Sequence, residues 1–132
     1  MAARNFAAPL SAVDKLEIGA GNAVTAIKDI VADDPYLAGH YPHFTIYPGV
    51  FSIETVYQAA RAALEHDGAT AELAGIISVH FKAPLLPGDR LTAELTFHPS
   101  PEEPSIVRVK AKCTRTDGET SGRITLAMRV TS

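Results

Sequence analysis

Three positions in the middle of the chain carry groups that could together eliminate water from a substrate. His40 lies in a proline-rich segment, where an imidazole can accept a proton near neutral pH. Glu54, 14 residues later, falls in a helical pattern and could protonate a leaving hydroxyl group. The helix opens at Gly49, and first-turn N–H groups, which have no intrahelical acceptor, could polarise a carbonyl group. A base, a hydrogen-bond donor and an acid are what removal of an α-proton and loss of a β-hydroxyl group from a thioester require.

Each of these residues also has a purely structural interpretation. Glu54 could be a first-turn glutamate stabilised by the helix dipole, and His40 an ordinary surface histidine. His43 forms a His-x-x-His pair with His40, but Pro42 between them prevents a regular helical turn that would hold both rings. No neighbouring cysteine or aspartate completes a tetrahedral set of ligands. We therefore predict no metal site, and the role of His43 stays open.

A helix is predicted from Gly49 to about His66, because apolar residues recur there at spacings of three and four. Further apolar residues elsewhere on its circumference indicate that the rest of the protein encloses it. Glu54 would then be buried beside the apolar face. Desolvation of a buried carboxyl group favours its protonated form, which suits a proton donor. The residues that define this predicted face are Val50, Ile53, Val56, Tyr57, Ala60, Ala63 and Leu64.

The remaining segments alternate between apolar and polar residues, as strands covered on one side do. Short apolar stretches at 13–18 and 23–30 precede an irregular segment at 31–48, which is long enough to suggest a functional loop. After the helix, strands are predicted at 76–81, 91–97, 107–113 and 124–130, and Asp117-Gly118 predicts a hairpin. We predict an α+β fold with an antiparallel sheet of five or six strands around one long central helix. It forms a single domain over residues 1–132, of which 1–10 are loosely ordered.

Composition narrows the function classes. The chain has 132 residues, 12 basic and 15 acidic side chains, and a net charge of −3, which argues against a nucleic-acid-binding protein. Cys113 is the sole cysteine, so an intramolecular disulfide framework is excluded. No apolar run is long enough for a membrane span, and the first residues do not resemble a secretory signal. We expect a cytoplasmic protein that does not associate with membranes.

Three motifs carry a resemblance to a known family: Ala38-Gly-His-Tyr-Pro42, Pro48-Gly-Val50 and Ile53-Glu-Thr-Val-Tyr-Gln-Ala59. They resemble the hotdog-fold 3-hydroxyacyl-(acyl-carrier-protein) dehydratases, and weaker matches extend the similarity over roughly residues 12–130. The resemblance implies a dimer in which His40 of one subunit meets Glu54 of the other beside an apolar tunnel. It also implies a substrate carried on acyl carrier protein and no cofactor. The residues it assigns are His40, Glu54 and Gly49 for catalysis and Phe44, Tyr47, Val50 and Gln58 for substrate binding.

Departures from the family pattern keep alternatives open. His43-Phe44-Thr45 replaces a small residue, a basic residue and proline, and Ala83 stands where a basic residue often helps to dock the carrier. The altered residues 43–45, together with the absence before Val13 of the family's usual first motif, motivate one alternative: a non-catalytic partner subunit in a heterodimer with a second hotdog chain. Another is a hotdog thioesterase, in which Glu54 would activate water. The acyl chain length and any assembly of dimers into larger oligomers stay open.

Overall fold

One helix and six strands make up the part of the chain that the structure describes. The structure is a computed structural model, and it describes residues 12–19, 23–30, 49–66, 68–86 and 88–131. The elements are β1 (Lys15–Ile18), β2 (Ala23–Asp29), helix α1 (Gly49–Glu65), β3 (Thr70–Phe81), β4 (Arg90–Pro99), β5 (Ile106–Thr114) and β6 (Thr120–Thr131). The predicted helix and strands are all present at these positions.

The strands form one antiparallel sheet in the order β1-β2-β4-β5-β6-β3. β1 and β3 are therefore its two edges. β3 begins at Thr70 rather than at the predicted Ile76. Its pairing with β6 shifts register between Leu73 and Gly75 and again between Ile76 and Ser78. Such bulges break the alternation of side chains, which explains why sequence periodicity recognised only the last half of this strand.

The inner face of the sheet forms most of the core. β4, β5 and β6 turn alternate apolar residues inward as predicted, and the outward residues between them are mostly polar. Burial raises the pKa of the Cys113 thiol to about 12, so this cysteine stays protonated and unreactive near neutral pH. The buried residues of these three strands include Leu91, Ala93, Leu95, Val109, Ala111, Cys113, Ile124, Leu126 and Met128.

Helix α1 packs against β2, β3, β4 and β6, with a buried face that differs from the predicted one. Val56 and Ala60 are buried as predicted, but Ser52 and Thr55 are buried too. The hydroxyl of Thr55 donates to the carbonyl oxygens of Ala12 and Phe51, at 2.8 and 3.1 Å. Local acceptors thus satisfy a polar side chain in the core. The buried face comprises Ser52, Thr55, Val56, Ala59 and Ala60.

The described residues contain no candidate for a membrane-spanning helix. Helix α1 contains 17 residues. No helix in the described ranges combines the length and the apolar character needed to cross a bilayer.

Candidate active site

The start of helix α1 lies close to one aromatic ring at the end of β3. The ring of Phe81 lies so close to Gly49 that a Cβ atom at position 49 would be 2.7 Å from its Cε2 and Cζ atoms. A Cβ at Gly122 on β6 would approach Cδ1 of the same ring to 3.2 Å. With the ring in this position a side chain at Gly49 would clash with it, and one at Gly122 would be tightly packed against both the ring and the backbone oxygen of His80. This contact places the ring beside the first helical turn, whose N–H groups lack intrahelical acceptors.

A cavity of about 320 Å³ opens beside this helix start. Gly49 and the ring of Phe81 line it together with Leu85, while Ser52 and Ser121 contribute hydroxyl groups. Lys82 is exposed at its edge. The cavity thus has a partly apolar wall next to the positive end of the helix, but Glu54 is not among its lining residues. The motifs predicted Gly49 as a site residue but not Phe81, because its contact with the helix start joins positions far apart in sequence.

Glu54 lies on the far side of helix α1 from its buried face. Glu54 is two residues away from both Ser52 and Val56. On an α-helix, side chains at that spacing point in nearly opposite directions. The prediction that Glu54 is buried within the chain is therefore wrong: its side chain is half-buried. The buried face was predicted from the spacing of apolar residues alone. Because Ser52 and Thr55 are also buried, the observed face is rotated around the helix axis relative to the predicted one.

Gln58, one helical turn after Glu54, forms a hydrogen bond with its carboxyl group. Gln58 Nε2 donates to Glu54 Oε2 at 2.9 Å. The other end of the amide accepts a hydrogen bond, since the backbone N–H of Ala12 donates to Gln58 Oε1 at 3.1 Å. The structure thus joins two of the predicted residues directly. Ala12 was not predicted, because no local pattern links positions 46 residues apart in sequence.

The other predicted site residues cannot be placed. His40, His43, Phe44 and Tyr47 lie outside the described residues, and of Val50 only the helical backbone is described. Within the described ranges no group of three His, Cys, Asp or Glu side chains could hold a metal ion.

Comparison with known proteins identifies the family. The family model described as ApeI-like, ApeI dehydratase, matches residues 17–123. A 3-hydroxyacyl-(acyl-carrier-protein) dehydratase FabZ from Ruminiclostridium cellulolyticum is 35% identical over 127 residues, covering 91% of this chain and 87% of the relative. The chain belongs to the ApeI-like dehydratase family. The family predicted from the three motifs is thereby confirmed, and so is the prediction of a dehydratase, that is, a hydro-lyase.

Solved structures support the fold of this ApeI-like chain. The dehydratase heterocomplex ApeI:P from Xenorhabdus doucetiae superposes with a TM-score of 0.65 at 19% identity, covering 91% of this chain and 96% of that one. A hypothetical thioesterase with coenzyme A from Streptococcus pneumoniae gives a TM-score of 0.70 at 14% identity, covering 89% and 88%. Together with the six-stranded antiparallel sheet against helix α1, these likenesses confirm the predicted hotdog fold.

Proposed function

We propose that this chain is a cytoplasmic enzyme that removes water from 3-hydroxyacyl thioesters carried on acyl carrier protein, giving trans-2-enoyl thioesters. The observation that carries the proposal is the arrangement along helix α1: Gly49 begins the helix, where first-turn N–H groups lack intrahelical acceptors, and Glu54 follows with its carboxyl group held by Gln58. Membership of a dehydratase family supports it, as do relatives named for this reaction.

The proposed reaction uses one base, one acid and one backbone donor. His40 accepts the proton from the α-carbon, and the electron pair of the broken C–H bond forms the C=C bond. The Gly49 N–H stabilises negative charge that develops on the thioester oxygen. Glu54 donates a proton to the β-hydroxyl group, which leaves as water when the C–O bond breaks. Transfer of the proton from His40 to solvent and reprotonation of Glu54 complete the cycle.

Product analysis tests this function directly. The purified protein is incubated with a 3-hydroxybutyryl thioester, and the products are followed by mass spectrometry together with a thiol reagent. Formation of the enoyl thioester without free thiol is expected. Release of thiol without an enoyl product would instead identify a thioesterase, and no turnover with this or a carrier-bound substrate would contradict the proposal.

The edge strand β3 supports the proposal that a second hotdog chain extends the sheet. It is 12 residues long, and β6 is its partner within the described residues. Leu73, Ile76 and Ile77 on this strand are 41–51% exposed. A long apolar edge strand favours pairing with another chain. Such pairing would bring the subunits together as the family resemblance implies, with His40 of one chain opposite Glu54 of the other, either in a homodimer or in a heterodimer.

Ile77→Lys tests this edge. We expect the lysine to place a charge on the pairing surface, so that the protein elutes as a monomer in size-exclusion chromatography with light scattering and loses dehydratase activity. Ile18→Lys is the matched control, since Ile18 is similarly exposed, at 48%, on the short opposite edge strand β1. An Ile77→Lys variant with the oligomeric state and activity of the wild type would refute pairing along β3.

Three basic residues on the outer face of the sheet form the proposed docking surface for the acidic carrier protein. Lys112 on β5 lies directly opposite Arg123 on β6, and Lys110 is two residues away on the same face. Like charges at facing positions are unfavourable for the sheet. None of the three forms an ion pair with another described residue. Glu94 on β4 also lies opposite Lys112, so the four side chains carry three positive charges and one negative. Their net positive charge, on a chain of net charge −3, is suited to an acidic partner.

The Arg123→Glu variant tests whether this surface binds the carrier protein without affecting the dehydration step. Because the new carboxylate would face Lys112, the fold should not be weakened, whereas KM for the carrier-bound substrate should rise about three- to tenfold. KM for the same acyl group on a short synthetic thiol should not change. Lys15→Glu on β1 serves as the control for an added negative charge. Equal effects of Arg123→Glu on both substrates would contradict docking at this patch.

A further inference from the structure

We infer that the segment entering β1 holds the carboxyl group of Glu54 in its working orientation, acting through the side chain of Gln58. The inference rests on the proposed function, in which Glu54 supplies a proton to the leaving hydroxyl group. It assigns positioning roles to Ala12, Thr55 and Gln58, of which only Gln58 was suspected from sequence, and then as a substrate-binding residue.

The direction of the Gln58 amide is fixed by its backbone partner. A backbone N–H can only donate, so the N–H of Ala12 must face the amide oxygen, at 3.1 Å. The NH₂ group then has to face the opposite way, towards Glu54 Oε2, at 2.9 Å. A flipped amide would set two donors against each other at Ala12. The main chain alone is thus sufficient to select one of the two amide orientations, and this orientation directs the NH₂ group to Glu54.

Ala12 is itself held from two sides. Its carbonyl oxygen accepts a hydrogen bond from the hydroxyl of Thr55, at 2.8 Å, and both residues are fully buried. Two residues later, the N–H of Asp14 donates to the carbonyl of Ile27 on β2, at 2.8 Å, which ties the segment to the sheet. The carboxylate of Asp14 also accepts from the N–H of Asp29, at 2.7 Å. The position of Ala12 is therefore set by both the helix and the sheet.

This chain of hydrogen bonds makes the two oxygens of Glu54 different. Oε2 accepts from Gln58, so in the protonated acid Oε2 is the carbonyl oxygen and Oε1 carries the proton to be transferred. After transfer, the same amide stabilises the carboxylate that remains. The arrangement presents one defined oxygen to the substrate without rotation of the carboxyl group. Preorganisation of this kind acts on the chemical step rather than on binding.

A double-mutant cycle tests the inference. Thr55→Val removes the hydroxyl group that holds Ala12 but keeps the side-chain shape, and Thr55→Ser keeps the hydroxyl group. We expect Thr55→Val to lower kcat about three- to tenfold with KM unchanged, and Thr55→Ser to retain kcat within about twofold. Gln58→Leu should lower kcat further. In the Gln58→Leu background, Thr55→Val should have no additional effect on kcat, because both changes interrupt the same series of hydrogen bonds from Thr55 to Glu54.

The outcomes separate this inference from the proposed function. If the wild type forms no enoyl thioester, the proposed function fails; if Glu54→Gln dehydrates the substrate as fast as the wild type, Glu54 is not the proton donor. If Glu54→Gln is inactive while Thr55→Val keeps its kcat, or lowers it equally in the Gln58→Leu background, the positioning role is refuted. Should Thr55→Val not fold, semisynthesis with lactic acid at position 12 replaces the backbone N–H by an ester oxygen. A fall in kcat at constant KM is expected there, and an unchanged kcat would overturn the inference.

Discussion

Glu54→Gln is expected to lower kcat for dehydration by about 10²–10⁴-fold. Glutamine has nearly the shape of glutamate and can still contact Gln58, but it cannot donate an acidic proton to the departing hydroxyl group. The measurement is steady-state formation of the enoyl thioester from a 3-hydroxyacyl thioester, with KM determined in parallel. KM should change little, because the lost interaction is made in the transition state.

Glu65→Gln is the matched control for this variant. Glu65 ends the same helix and accepts hydrogen bonds from the N–H of Ala71, at 2.9 Å, and from Arg61, at 3.3 Å. A glutamine oxygen can take over these contacts, so the control should keep the kcat of the wild type. A Glu54→Gln enzyme with undiminished kcat would exclude Glu54 as the proton donor.

His40→Ala is expected to have an effect of similar size, about 10²–10⁴-fold on kcat, because it removes the base that accepts the α-proton. Deuterium exchange at the α-carbon in heavy water reports that step separately from loss of the hydroxyl group. Both exchange and dehydration should be lost in this variant.

His43→Ala accompanies His40→Ala, since the two histidines are three residues apart and either ring could in principle reach a substrate. We expect His43→Ala to exchange the α-proton at close to the rate of the wild type. The reverse pattern, with exchange lost in His43→Ala and kept in His40→Ala, would show that the base has been assigned to the wrong residue.

Local sequence patterns predicted most of the framework. Period-two alternation identified β4, β5 and β6, and residues such as Leu95, Ala111 and Leu126 are buried as that pattern requires. The helix was predicted from Gly49 to about His66 and runs from Gly49 to Glu65. These elements were predictable because each buries one regular face, and a regular face is visible in the order of residues alone.

The errors arose where burial does not follow hydropathy. Thr55 is fully buried because its hydroxyl group finds acceptors nearby, yet a polar residue counts as exposed when a helical face is assigned from apolar spacing. This shifted the predicted face and placed Glu54 in the core. The contact of Glu54 with Gln58 follows from their spacing of four on a helix. The contact of Gln58 with Ala12 depends on how the segment before β1 packs against the helix in three dimensions. A local sequence pattern cannot predict such a contact.

The strand order has a consequence for synthesis on the ribosome. β3 is made directly after the helix, but its partner in the sheet is β6, the last strand of the described chain. β4 and β5 have to be translated first, so the apolar residues of β3 emerge before the strand that pairs with them exists. The nascent chain therefore carries an unpaired, aggregation-prone strand until β6 has been translated, and protection by a chaperone during that interval would benefit its yield.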